Sequence, residues 1–240
     1  MNQPGTQFSE IAVLGGDDAL RTAVREAGGS VVPVGDADAV VADGERALRE
    51  ATEAAAGTPV LPVGVGASPH AVSGQHATVT VGRLLRGEGH VVTHPRLVVA
   101  VAGETVGDAL LDVTLVTGEP GRISEYGVTL DGDRLDSFRA DAVVAATPLG
   151  SGGYAAAAGG AKLAADTGLV VVPIAPFETR SDTWVVPGRV TLTVERDEGP
   201  VDLVVDDEVR RTVPAHEPVR VTVDGEISLV RVPSDTAASE

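Results

Sequence analysis

Thr147-Pro148-Leu149-Gly150-Ser151-Gly152-Gly153-Tyr154, with the Ala/Gly run Ala155 to Gly160 behind it, is the most informative stretch of this sequence. Ahead of it, Ala140-Asp141-Ala142-Val143-Val144-Ala145-Ala146 is a short Val-rich apolar run of the length expected of a buried strand. The alanines behind it favour helix. A strand that breaks into a Gly/Ser loop and restarts as a helix leaves backbone N–H groups free at the helix start, where the peptide dipoles favour an anion. Such a loop can hold a phosphate, and its glycines let a backbone or a flat ring approach closely. A tight turn followed by a close-packed helix fits the same residues equally well.

Toward the N-terminus, Ile11-Ala12-Val13-Leu14 reads as a strand, Asp17 to Ala27 as a helix closed by Gly28-Gly29, and Ser30 to Val34 as a second strand. Ala39 to Ala42 reads as a strand, Asp43-Gly44 as a turn, Glu45 to Ala56 as a helix and Pro59 to Val65 as a strand. Strands alternating with helices at this spacing imply a parallel sheet, with ligands at the carboxyl ends of its strands. Two acids stand at such ends: Asp17 behind Gly15-Gly16, and Asp43 ahead of Gly44. An aspartate before a helix also serves as an N-cap, worth about 1 kcal/mol. That reading stays open for Asp43.

The segment 66–89 is polar and glycine-rich, without a regular period, and reads as the crossover between two domains. His90 and His94 flank Val91-Val92-Thr93, so a strand there puts both on one face. No carboxylate stands at a recognisable zinc spacing from them, and no metal ligands are assigned. From Arg96 onward short Val-rich runs alternate with Gly/Asp turns: Leu97 to Ala102, Leu110 to Thr117, Tyr126 to Leu130, Val190 to Val194, Val201 to Val205, Val219 to Val223 and Ile227 to Val232. This texture predicts two packed β-sheets. The expected organisation is an α/β N-terminal domain with a parallel sheet over 1–82 and an all-β domain carrying the central motif over 90–233. A disordered polar tail is expected over 234–240.

The chain has 240 residues, enough to bury a sizeable core, and only 2% aromatic content, so Val, Ala and Leu must build that core. Eighteen Lys and Arg against 35 Asp and Glu leave a net charge of −17, and Lys162 is the sole lysine. Such a surface repels nucleic acid and anionic lipid. Its self-repulsion is screened at high salt, where the Debye length falls to about 3 Å at about 1 M. A salt-rich cytoplasm, as in halophilic archaea, is the expected setting. With no cysteine, disulfides and thiolate metal sites are excluded. No basic-then-apolar leader and no apolar run of membrane-spanning length is read.

Asp141, Thr147-Pro148, Gly150-Ser151, Tyr154 and Gly159-Gly160, taken together, resemble the central motif of the NAD kinase family. The likeness runs from about Ile11 to Val232, with the motifs in the family's order. Asp43-Gly44, followed by Leu48-Arg49-Glu50-Ala51 and Gly57-Thr58-Pro59-Val60-Leu61, falls where the family has Gly-Gly-Asp-Gly-Thr, which makes Asp17 a decoy. The resemblance implies an α/β domain paired with a β-rich domain, the active site between them. It implies phosphoryl transfer from ATP, or polyphosphate in some members, to the 2′-hydroxyl of the adenosine ribose of NAD, with Mg2+ or another divalent metal. It makes Asp43 the catalytic aspartate, the base or orienting group for that hydroxyl. Gly44, Asp112, Asp141, Thr147, Gly150, Ser151, Tyr154, Gly159 and Gly160 become nucleotide-binding positions. Val171 to Pro176 followed by Arg180 resembles a further pocket stretch, and Asp206-Asp207 the late Asp-Gly turn. Family members are commonly dimers or tetramers.

Departures from the pattern are Val41, Ala42 and Glu45 in place of two glycines and a threonine, and Leu111 in place of an asparagine. Leu149, Gly152 and Gly153 replace polar or small residues of the central motif. Side chains are expected where backbone would approach a phosphate. The alternative they raise is a relative that binds a dinucleotide without phosphorylating it.

Overall fold

The computed structural model describes residues 6–66, 68, 70–119, 121–177 and 181–233. The expected tail 234–240 and Arg180 lie outside the described residues. The chain divides into two compact units, Met1–His94 with Glu226–Glu240, and Pro95–Gly225.

In the first unit the strands Glu10–Gly15, Ala39–Asp43 and Val60–Val63 pair in parallel, with the two-residue strand Ser30–Val31 outside the first of them. Ala39, Val40, Val41 and Ala42 are all fully buried, which is why this strand reads as a continuous apolar run. The helix Asp18–Glu26 starts at Asp17, whose side chain accepts the Ala19 N–H at 2.9 Å, so Asp17 is spent as a cap.

Two readings change here. The supposedly irregular crossover contains a helix, Ala77–Arg83. Its β-branched Thr and Val residues disfavour helix locally, but Ala77, Val81 and Leu84 form a buried stripe at helical spacing and join the unit's core. The segment 227–232, read as part of the β-rich domain, belongs to the strand Pro218–Arg231, whose end pairs in parallel with Val60 through Leu229. Its last residues therefore belong to the first unit.

The second unit is β-rich. Six antiparallel strands run in the order Trp184–Val186, Leu169–Ile174, Ala142–Ala146, Asp112–Thr117, Val201–Val205 and Glu208–Thr212. A second set includes Ser124–Leu130, Asp133–Ala140 and Arg189–Arg196. Leu97, Tyr126, Val128, Phe138 and Leu192 from one set meet Val113, Leu115, Val143, Val171 and Leu203 from the other in one buried cluster. Ala142, Val144 and Ala146 face a separate cluster with Ala155 and Leu163, so both faces of that strand are covered and its residues do not alternate. No helix among the described residues is long and apolar enough to cross a membrane.

Candidate functional site

In the first unit Asp43 is the last residue of its strand, opposite Gly15 on one side and Val63 on the other. It therefore stands at the carboxyl end of three adjacent parallel strands. The N-cap of the helix Glu45–Ala54 is Gly44, at φ +92°, with no side-chain cap, while the Gly44 N–H donates to the Val63 carbonyl at 2.8 Å. The Asp43 carboxylate is thus not an N-cap, because the chain turns one residue later.

Three glycines close on this aspartate. A β-carbon at Gly16 would lie 2.9 Å from Asp43 Oδ2, one at Gly64 would lie 3.1 Å from Oδ1, and one at Gly15 would collide with the Asp43 carbonyl. Gly16 and Gly64 have φ of +65° and +69°, where a β-carbon is itself unfavourable. Sequence reasoning set the Gly15-Gly16-Asp17 triplet aside as a whole, yet its two glycines shape the surroundings of Asp43. Gly16→Ala is expected to displace the carboxylate and cost about 1–3 kcal/mol, read as a lowered urea midpoint; an unchanged midpoint would contradict the close approach.

In the second unit the strand Ala142–Ala146 runs into Thr147, whose side chain is fully buried. Its hydroxyl donates to the Leu110 carbonyl at 2.8 Å and accepts the Gly150 N–H at 3.2 Å, and its own N–H donates to the Leu111 carbonyl at 2.8 Å. Gly150 packs so closely on Leu111 that a β-carbon would collide with the Leu111 carbonyl oxygen. The Ser151 hydroxyl, also fully buried, donates to the Pro148 carbonyl at 2.8 Å and accepts the Leu163 N–H at 2.9 Å. Both hydroxyls hold the loop, and any action of theirs on a ligand runs through the backbone they fix.

Behind this loop the expected helix is one turn long, Tyr154–Ala157. It ends because Gly159 takes φ +90° and Gly160 packs down on the sheet, where a β-carbon would lie 2.6 Å from Val172 Cγ2. So few aligned peptides sum to little dipole, and a phosphate at a helix start loses its basis in this loop.

The register places Asp112 opposite Ala146, whereas Asp141 precedes Ala142, so these two acids flank opposite ends of one strand, about 17 Å apart along it at about 3.4 Å per residue. Tyr154, 45% exposed, lies within electrostatic reach of both. Partial burial raises its phenol pKa first, and the charges of Asp141 and Asp112 raise it further. Asp141 is held by backbone: its N–H donates to the Ile174 carbonyl at 3.0 Å, and its carbonyl accepts from Thr117 N–H at 2.9 Å and from the Tyr126 hydroxyl at 3.2 Å. Phe177, beside the expected pocket stretch, is exposed, with the Arg139 guanidinium 5.7 Å from its ring centre.

The departures from the expected motifs have a physical outcome. Val41, Ala42, Leu111 and Leu149 are all buried, so their side chains fill the interior instead of standing in open space beside the acids. Asp206, noted only for its turn, proves to be bonded to the backbone of 110–112. Among the described residues no three His, Asp or Glu side chains gather as a metal centre.

Residues 110–232, just over half the chain, match the family model described as the ATP-NAD kinase C-terminal domain. The chain is similar to the NAD kinase of Methanopyrus kandleri, 32% identical over 155 residues, covering 64% of this chain and 53% of that protein. It is also similar to the NAD kinase of Pyrococcus abyssi, 38% identical over 118 residues, covering 48% and 42%. The chain thus spans about half the length of the curated relatives it matches. Among solved structures, yeast NADH kinase complexed with NADH superimposes with a TM-score of 0.71 at 15% identity, covering 97% of this chain and 86% of that one. An NAD kinase from Archaeoglobus fulgidus in complex with ATP does so with a TM-score of 0.68 at 18% identity, covering 95% and 94%. At these identities the structural likeness is one of fold.

Proposed function

Because the chain belongs to the ATP-NAD kinase family, we propose that it phosphorylates the 2′-hydroxyl of the adenosine ribose of NAD, with ATP as donor, to give NADP. The observation that carries this reading is the family match over residues 110–232. The placement of Asp43 at the carboxyl end of its strand supports it. A ribose hydroxyl is a weak nucleophile, so a positioned carboxylate that accepts its proton or aims its lone pair is the group the reaction needs. Asp43 takes that role, with Gly44 offering backbone to phosphate. Asp112, Asp141 and Tyr154 bind the dinucleotide; Thr147, Gly150, Ser151, Gly159 and Gly160 hold the loop that receives it. The divalent metal enters on the ATP phosphates as part of the substrate.

The test is NADP formation by the purified protein in molar KCl with NAD, ATP and MgCl2. NADP above the protein-free control is the expected result. NAD binding by calorimetry without turnover would overturn the kinase reading in favour of a binding protein, and no binding at all would remove both. Polyphosphate in place of ATP, and NADH in place of NAD, identify donor and acceptor in the same assay.

The net charge of −17 supports a working place in a salt-rich cytoplasm. Raising KCl from about 0.1 M to about 1 M shortens the Debye length from about 10 Å to about 3 Å, and the thermal midpoint is expected to rise across that range. A midpoint that is flat or falls would remove the salt-adapted reading. The family reading also carries a homo-oligomer, a dimer or tetramer, which light scattering at the same salt reads directly.

A further inference from the structure

Asp206 lies in the turn between Val201–Val205 and Glu208–Thr212, at φ +54°. Its carboxylate receives three consecutive backbone N–H groups from a distant segment: Leu110 at 3.1 Å, Leu111 at 2.8 Å and Asp112 at 3.2 Å. Its own N–H donates to the Asp112 carbonyl at 2.9 Å. An ionised acceptor facing three donors makes stronger bonds than a neutral one.

The carbonyls of the same segment point elsewhere. The Leu110 carbonyl accepts the Thr147 hydroxyl and the Leu111 carbonyl accepts the Thr147 N–H, each at 2.8 Å. In a planar trans peptide the C=O of one residue and the N–H of the next lie in one rigid plane and point in opposite directions. The Leu110–Leu111 and Leu111–Asp112 planes are therefore held by Asp206 along one edge and by Thr147 along the other. Gly150, pressed against the Leu111 carbonyl, rests on the same planes.

From this geometry we infer that Asp206 is a positioning residue for the 147–153 loop and for Asp112, acting through the peptide planes of 110–112. Through those planes it sets the surface on which the loop is built. The inference deepens the proposed function and rests on it for its meaning in binding.

Asp206→Asn keeps the shape but removes the charge and turns an amide N–H2 toward backbone donors. Amide hydrogen exchange compares it with the parent and with Val219→Ala, a core truncation in the same unit on the strand paired with Leu192. Exchange across 147–153 is expected to rise about tenfold in Asp206→Asn, the size of one lost charge-assisted bond, with 39–44 unchanged. Val219→Ala, at a comparable loss of midpoint, should show no such concentration at the loop. In the enzymatic arm the KM for NAD is expected to rise about tenfold while that for ATP stays within about twofold. Asp206→Asn matching the parent at 147–153, or loosening the whole unit evenly as Val219→Ala does, would overturn the inference. A parent protein that neither binds nor converts NAD would overturn the proposed function alone, because the exchange arm still decides what Asp206 holds.

Discussion

Asp43→Asn is expected to lower NADP formation by about 10²- to 10⁴-fold, the usual contribution of a positioned general base. The amide matches the carboxylate in shape, so it fits between Gly16 and Gly64 without new contacts. It cannot accept the ribose proton and it withdraws the charge that aims the hydroxyl. The effect should appear in kcat, with the KM for NAD and the urea midpoint near parental values, since the carboxylate does not cap the helix at Gly44. Assays of kcat and KM beside an equilibrium melt make the comparison. Parental turnover in the mutant would remove Asp43 from the chemistry, and a large drop in midpoint would show that it serves the fold instead.

Gly150→Ala is expected to damage the second unit severely. The added β-carbon meets the Leu111 carbonyl, and neither backbone is free to give way. Thr147 bonds both Gly150 and Leu111, and Asp206 grips the far edge of the Leu111 peptide planes. Overpacking against fixed backbone costs about 3 kcal/mol or more, seen as a lowered urea midpoint and loss of NAD binding. Gly159→Ala is the contrast. No atom lies within 4 Å of a β-carbon there, and only the φ of +90° opposes it. That costs about 1–2 kcal/mol. Equal losses at the two glycines would mean that Gly150 is constrained by its dihedral angles alone.

Several elements were legible in the residues themselves. Val201 to Val205 forms a strand with the bounds read from its composition, and the strand Ala39–Asp43 extends the predicted one by the very acid proposed for catalysis. Asp17 was set aside as a decoy, and the structure spends it as a helix cap. Other elements were not legible. Ala77–Arg83 carries residues that prefer strands, and it is helical because Val81 and Leu84 are buried in the first unit's core. The alanines after Tyr154 promise a helix that Gly159 and Gly160 stop after one turn, because the chain must fold back onto Val172. The glycine pair at 15–16 looked like a loop of its own, and its meaning lies in Asp43, which no local pattern connects to it.

By itself, then, this sequence determined the alternation of strands and helices before residue 66, the β-rich texture after residue 96 and the identity of the acids and glycines at the turns. Those features depend on residues a few positions apart, whose preferences are carried in the local chain. Only the tertiary structure decided which of those residues act together. Asp206 and Leu110 are 96 positions apart, and their bond forms because two antiparallel strands bring the turns side by side. Asp43 is bounded by Gly16 and Gly64 because three parallel strands end at the same level. Contacts of this kind follow from strand register, which is settled by the burial of whole sheet faces and not by any short stretch of residues.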